Sequence, residues 1–302
     1  YMLGLTYVPE QQLGAWHWHE TDGTFESCTA VAEGDEDRVY VVVKRTINGS
    51  TKRYVERLAS RRIDALEDCI FVDSALTYDG TNATSETVTV SGGTAWDSTE
   101  VLTITLGVSL DVLFAYPAQT DVGDCIVITD ANGVKYRLTI IATSSITVAT
   151  ARVDKTIPVA LRNTATTNWS FARKDLGGLS HLEGKTVSIL ADGAVMPQQV
   201  VTGGAISLQR AATKIIVGLP YESDLQTLPM TLNVDGFGQG RMKNVNKAWL
   251  RVYKSSGIFV GPDADHLVEY KQRTTEPYGS PPSLKSDELL VVMTPSWGAG
   301  GQ

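Results

Sequence analysis

The chain has 302 residues, enough for two or three domains with real cores or one elaborate β domain. Hydrophobic residues make up 42% and charged residues 20%, which excludes a disordered chain. A net charge of −8 argues against a nucleic-acid-binding surface, and no apolar run approaches the roughly 18 residues of a membrane span.

Residues 1–60 read as a β-meander. Ala15–Glu20, Thr24–Ala32, Arg38–Thr46 and Lys52–Leu58 are successive strand candidates, separated by Thr21-Asp22-Gly23, Glu33–Asp37 and Asn48-Gly49. Asn-Gly tolerates the two positive φ angles of a type I′ turn, so the last two strands should pair with Ile47 opposite Ser50. Tyr40, Val42 and Val55 fall on one face of this hairpin, and Val39, Val41, Val43, Tyr54 and Leu58 on the other. Apolar groups on both faces predict burial on both sides. Four antiparallel strands in this length are also what one propeller blade requires, and further sequence would have to complete the propeller. Ser60–Asp68 is the best short helix candidate, with Ile63 and Leu66 three apart.

Phe71–Gly80 gives a strand and a turn. Thr81–Ser98, rich in Thr, Ser, Gly and Asn with alternating Val88 and Val90, reads as a linker or edge ribbon. Val101–Leu106, Cys125–Thr129, Lys135–Ile141 and Ser145–Ala149 are short strands, with Asn132-Gly133 turning the middle pair. This module should close near Trp169-Ser170-Phe171. Beyond it come Thr186–Leu190, Val200–Thr202, Ala205–Leu208, Lys214–Gly218, Asn246–Tyr253 and Glu288–Thr294. Asp192-Gly193, Gly203-Gly204 and Ser256-Gly257 are turns. Gly261–Pro282 has little periodicity and reads as a long ordered or binding loop.

Few groups suggest chemistry. His17 and His19 are two apart on a strand, so both rings share a face, with Trp16 and Trp18 on the other. With Glu20 or Asp22 they could ligate a metal, but no known ligand spacing is matched, and the reading taken is of partly exposed partners of backbone carbonyls beside an aromatic core. Glu33–Asp37, Asp263-Ala264-Asp265 and Asp121-Val-Gly-Asp124 lack the calcium-loop register and read as solvated acidic turns. Cys28, Cys69 and Cys125 show no CxxC pair or disulfide framework, so reduced buried thiols are expected. Cys125 sits in an apolar strand, and no Gly-x-Ser-x-Gly elbow, phosphate loop or carboxylate pair stands out. No catalytic, cofactor-binding or metal residue is therefore assigned, and no cofactor is expected. The six Trp are scattered, mostly at strand positions suited to core packing. The start at Tyr1 and the end at Gly-Gly-Gln suggest an excised fragment or a mature core of a longer protein.

Several stretches carry a resemblance. They are Leu5-Thr6-Tyr7 with Glu10-Gln11, Trp16–His19, Asp22-Gly23, Phe25-Glu26-Ser27 and the VVVKRTINGSTKRYVERL hairpin. FVDSALTYDG (Phe71–Gly80), GLSHLEGKTVSILADG (Gly178–Gly193), VTGGAISL (Val201–Leu208), VGLPYESDLQTLP (Val217–Pro229) and GRMKNVNKAWLRVYKSSG (Gly240–Gly257) follow, and Lys271–Trp297 ends the series. In this order they resemble the tail tubular, nozzle or tail-stabilisation proteins of short-tailed bacteriophages. The run from Asp121 to Ala172 resembles a small β-barrel insert of phage tail proteins, itself similar to the first catalytic-cysteine half-domain of ubiquitin-activating enzymes. That second similarity implies a fold only, because no adenylation domain accompanies it.

The resulting expectation is an all-β fold. An antiparallel short-strand body of residues 1–84 and 176–302 is interrupted by an inserted β-barrel at 85–175. The resemblance implies a virion structural protein that assembles in the host cytoplasm. It would form a homo-oligomeric ring, six-fold, contacting adaptor and other tail proteins and passing genomic DNA as cargo, without membrane insertion. Lys44, Arg45, Lys52 and Arg53, near the Asn48-Gly49 turn, are the candidate subunit contacts. The alternative is a host-surface module binding a receptor or glycan; an enzyme such as a depolymerase is the weakest reading.

Overall fold

The computed structural model describes residues 1–60, 62–107, 114–115, 117–227, 242–273, 275–276, 282–294 and 297–298. The chain divides into two compact units, residues 1–61 with 67–221 and residues 62–66 with 222–302. The secondary structure is all-β and antiparallel, with short 3-10 turns as its helical content among the described residues.

The first unit opens with a two-stranded hairpin, β1 (Met2–Val8) and β2 (Leu13–His19). A three-stranded meander follows: β3 (Thr24–Glu33), β4 (Glu36–Ile47) and β5 (Ser50–Arg57). β2 thus pairs with β1 and not with β3, so the expected four-stranded blade does not form: β2 leaves it for β1, and β3, β4 and β5 remain as a sheet of three. The Asn48-Gly49 turn has φ values of 46° and 73°, and Ile47 faces Ser50 as the turn chemistry predicts. Burial of the hairpin is one-sided. Val41, Val43, Arg45 and Ile47 are buried, whereas Tyr40 and Val42 are half-buried and Val55 is 74% exposed. The expectation of two buried faces fails because β4 and β5 have a protein layer on one side only.

Residues 60–68 form no α-helix; the described part holds a single 3-10 turn, Leu66–Asp68. Nine residues repay helix nucleation poorly, and the flanks are held elsewhere. Leu58 N–H donates to the Val39 carbonyl, and the Ser60 hydroxyl donates to the Glu36 carboxylate.

β6 (Asp73–Asp79) belongs to a four-stranded sheet with segments over a hundred residues later. Between them lie β7 (Val88–Ser91), β8 (Leu102–Leu106), β9 (Cys125–Thr129), β10 (Lys135–Thr143), β11 (Val148–Val153), β12 (Ala165–Thr166) and β13 (Trp169–Leu176). Then come β14 (Thr186–Ala191), β15 (Ala194–Val200), β16 (Ile206–Ala212) and β17 (Lys214–Leu219). The larger sheet runs β12-β7-β8-β11-β10-β9-β13-β16, and the smaller β15-β14-β17-β6. Val88 and Val90 are fully buried on β7, so this segment is a core strand and not a linker. β11 starts later than expected because the Ser145 hydroxyl accepts from the Thr147 and Val148 amides, holding a turn there. β15 contains Pro197 and is the edge of its sheet, where a missing donor is tolerated.

There are two main apolar clusters, and the second is shared between the smaller sheet and strands β13 and β16 of the larger one. The first cluster, which includes Ile104, Ile126, Leu138, Ala151 and Trp169, draws all its members from the larger sheet and its loops. The side chains on one face of this sheet therefore pack on one another. The second cluster gathers Leu179, Leu182, Ile189, Leu208, Ile215 and Val217, with Leu76 and Tyr78 packed on it. A small third group, Cys125, Val127, Ala172 and Ala211, lies on the opposite face of β9.

Among the described residues the second unit contains three strand pairs: Lys243–Asn244 with Trp297–Gly298, Lys247–Arg251 with Glu288–Val292, and Phe259–Val260 with Val268–Glu269. Along 248–253 the apolar Ala248, Leu250 and Val252 are half-buried while Trp249 and Tyr253 are exposed, the alternation of a strand with one covered face. The last strand pair structures the start of the segment read as a loop. Thr274 and residues 277–281 of that segment lie outside the described residues.

Candidate functional site

Arg45 is the largest polar side chain buried in the first unit, at 1% exposure. Its position follows from strand period: it continues the face that carries Val41 and Val43. A guanidinium there needs its donors matched, and they are. Arg45 Nε and Nη2 donate to the two Glu56 carboxylate oxygens, each at 2.7 Å. Nη1 donates to Thr21 Oγ1 at 2.8 Å and to the Asp22 carbonyl at 2.6 Å. This is a bidentate pair plus a clamp on the Thr21-Asp22-Gly23 turn. Gly23 is required beside it, because a Cβ would stand 2.6 Å from the Lys44 carbonyl oxygen.

Further segments close on the same point. Lys185 Nζ, just before β14, donates to Asp22 Oδ2 at 2.6 Å. Burial pushes the Asp73 carboxyl upward, opposed by a Thr21 hydrogen bond and the Arg45 charge. One His181 ring nitrogen lies 3.1 Å from the Ser74 carbonyl, and the ring meets Tyr54 edge-on at 6.4 Å. Five separate stretches, TDG, KRTING, RYVERL, FVDSAL and GLSHLEGK, thus meet in one polar joint. Its carboxylates face cations or hydrogen-bond donors, so the arrangement fastens strands.

A second buried polar centre joins the two sheets. Arg173 Nη1, on β13, donates to Asp121 Oδ1 at 2.7 Å and to Asp124 Oδ2 at 3.2 Å. Asp121 Oδ2 accepts the Ala115 amide, Asp124 Oδ1 accepts the Lys174 amide, and Tyr78 donates to the Phe171 carbonyl. Burial raises the Asp124 carboxyl above its ordinary range, overriding the Lys174 amide and the Arg173 charge. The two aspartates are 2% and 5% exposed, so they are not the solvated turn expected at this position. Arg173 lies some fifty residues downstream, and nothing local in the sequence announces the pairing.

The other candidates disperse. The His17 and His19 rings do share a face, 5.2 Å apart and edge-on. Among the described residues no group of three or more His, Cys, Asp or Glu converges to hold a metal. Trp16 and Trp18 are 72% and 67% exposed, so the expected aromatic core is missing there; of the six Trp, Trp96 and Trp169 are buried. Glu33 accepts from Tyr40 and from Arg57, and Asp263 accepts from His266 Nδ1 at 2.6 Å, so neither acidic turn is merely solvated. Cys69 and Cys125 are buried, but Cys28 is exposed, contrary to expectation. Of the basic residues near the Asn48-Gly49 turn, Arg45 is internal, and Arg53 is tied to Glu26 at 2.6 Å.

No protein-family model matches the chain, and a search of curated proteins finds no match.

Proposed function

We propose that the chain is a structural component of a short-tailed phage tail, of the nozzle or tubular kind, working in the virion as part of a ring that extends the DNA-ejection channel. The observation that carries this reading is the Arg45 joint. The stretches that resemble tail proteins are the ones whose polar side chains meet there, and their roles are mechanical: a clamped turn, a bidentate ion pair and a cross-sheet contact. A part of a tube that must resist pressure benefits from fastenings between distant segments. In this reading the chain packs against copies of itself and against adaptor and tail proteins, with DNA as passing cargo. Closed rings need heterologous interfaces, and two compact units offer different surfaces for them.

Gold-labelled antibody to this chain, applied to virions of the source phage and viewed by electron microscopy, tests the proposal. Label at the tail axis below the capsid is expected. Label confined to the capsid shell or to fibre tips, or its absence from virions in which the tail is intact and accessible, overturns it.

A further inference from the structure

The β1–β2 hairpin exposes a face that a soluble chain ordinarily covers. Its register pairs Leu3 with Trp18, Leu5 with Trp16 and Tyr7 with Gly14, so these side chains share one side of the ribbon. Leu3, Leu5, Tyr7, Trp16 and Trp18 are 62%, 48%, 67%, 72% and 67% exposed. Within the paired stretches Met2–Val8 and Leu13–His19 this face carries no charged group. The hairpin is a sheet of two strands only, an arrangement that is marginal in water without a layer packed on it.

We propose that this face docks on the same face of a second copy of the chain, the two twisted ribbons stacking as a small sandwich. Three aromatic side chains at about two-thirds exposure leave roughly 400 Å² open. The two leucines add roughly 100–200 Å². Two copies together would bury about 1,000–1,200 Å², the lower end of what a specific interface requires. Identity of the partner follows from chemistry as well as area. A face without charge meets no unpaired charge when it meets itself, whereas a charged partner would bury one. Gly14 leaves a notch beside Tyr7 and Leu5, which a tryptophan of the opposing ribbon can enter. The contact is isologous and so goes beyond the heterologous ring contact proposed above; either can fail without the other.

Sedimentation velocity on the full chain tests this. A monomer–dimer equilibrium in about the micromolar range is expected, as befits a minimal interface. Each copy carries a charge of −8, so added salt should tighten the dimer by screening long-range repulsion. Trp16→Ser with Trp18→Ser should weaken it about 30-fold or more, the loss expected for hot-spot aromatics. Circular dichroism confirms that this variant folds, and Leu5→Ser with Tyr7→Ser provides a second pair should it not. A wild-type chain that stays monomeric overturns the proposal. So does an outward-face variant that dimerises as tightly as wild type, or quenching of Trp16 and Trp18 by soluble glycans with no self-association.

Discussion

Replacing Arg45 with Ala should be among the most damaging single changes in the first unit. The substitution removes four donated hydrogen bonds, two of them to Glu56 and two to the Thr21-Asp22 turn. Removing one partner of a buried pair costs about 3–5 kcal/mol, because the remaining charge is stranded. Glu56 is 21% exposed at its side chain and can turn partly to water, so the lower end, about 3 kcal/mol, applies. For a unit of this size that corresponds to about 6–12 °C in melting temperature. Urea titration of wild type, Arg45→Ala, Glu56→Gln and the double change Arg45→Leu/Glu56→Leu gives the assay. The double change should cost less than Arg45→Ala alone, since no unpaired charge remains. A loss below about 1 kcal/mol for Arg45→Ala, the range of an exposed pair, would refute the view that this joint holds the fold.

Val41→Asp should unfold the meander, because a carboxylate placed at 3% exposure has no partner, whereas Val55→Asp should change stability by less than about 0.5 kcal/mol; equal effects in thermal melts would contradict one-sided burial. Burial raises the Asp124 carboxyl above the ordinary aspartate value, so the folded state binds its proton more readily, and the cost of burying its charge is relieved as pH falls through the raised value toward the ordinary one. The stability of wild type minus that of Asp124→Asn, from urea titrations at neutral and acidic pH, should therefore increase on acidification; a pH-independent difference would count against it. The chain leaves the smaller sheet after β6 and returns beside that point on β13 of the larger sheet, with Asn82 N–H on the Trp169 carbonyl and Phe171 N–H on the Gly80 carbonyl. Replacing residues 82–169 with a two-residue Asn-Gly turn should leave a protein that unfolds cooperatively, and loss of the denaturation transition would show that the segment belongs to the main core.

What sequence could predict was local. The Ile47–Ser50 register was readable because Asn48-Gly49 admits few turn geometries. β9 and β17 were readable as compact apolar runs. β1 was not, because Leu3, Leu5 and Tyr7 alternate with Met2, Gly4 and Thr6, and Gly4 is a weak strand former. Its neighbour β2 was seen, but its pairing partner was mistaken for β3, since proximity in sequence says nothing of which ladder forms. The tryptophans misled for a related reason: alternation places a residue on a face but does not say which face is covered. The Arg45 joint was legible as five motifs and illegible as a site. Arg45 looked like part of an exposed basic tip, since nothing in Lys44-Arg45 distinguishes the buried cation from the outward one. Strand period resolves them only once the buried face is known. Asp121, Asp124 and Arg173 meet through sheet order, which no local pattern encodes.

The charge distribution yields a further prediction about DNA. Much of the chain's positive charge is already engaged: Arg45 with Glu56, Arg53 with Glu26, Arg57 with Glu33, Lys185 with Asp22 and Lys214 with Asp68. A phosphate approaching these cations must displace a carboxylate, so counterion release is offset by loss of the internal pair. The net charge of −8 adds long-range repulsion. The chain should therefore bind duplex DNA negligibly at physiological salt, even if its working place is beside DNA, and a conduit gains from this because each favourable contact brakes a sliding duplex. Lys52, across the ladder from Arg45, is exposed near the end of the hairpin, and Arg53 beside it is held by Glu26, so Lys52 is the basic residue near the turn most open to such a grip. Gel shifts with wild type and Lys52→Glu/Arg53→Glu decide the matter. Micromolar binding that weakens steeply with salt and disappears in the double variant would mean that this turn grips DNA, and the passive-conduit account would fall.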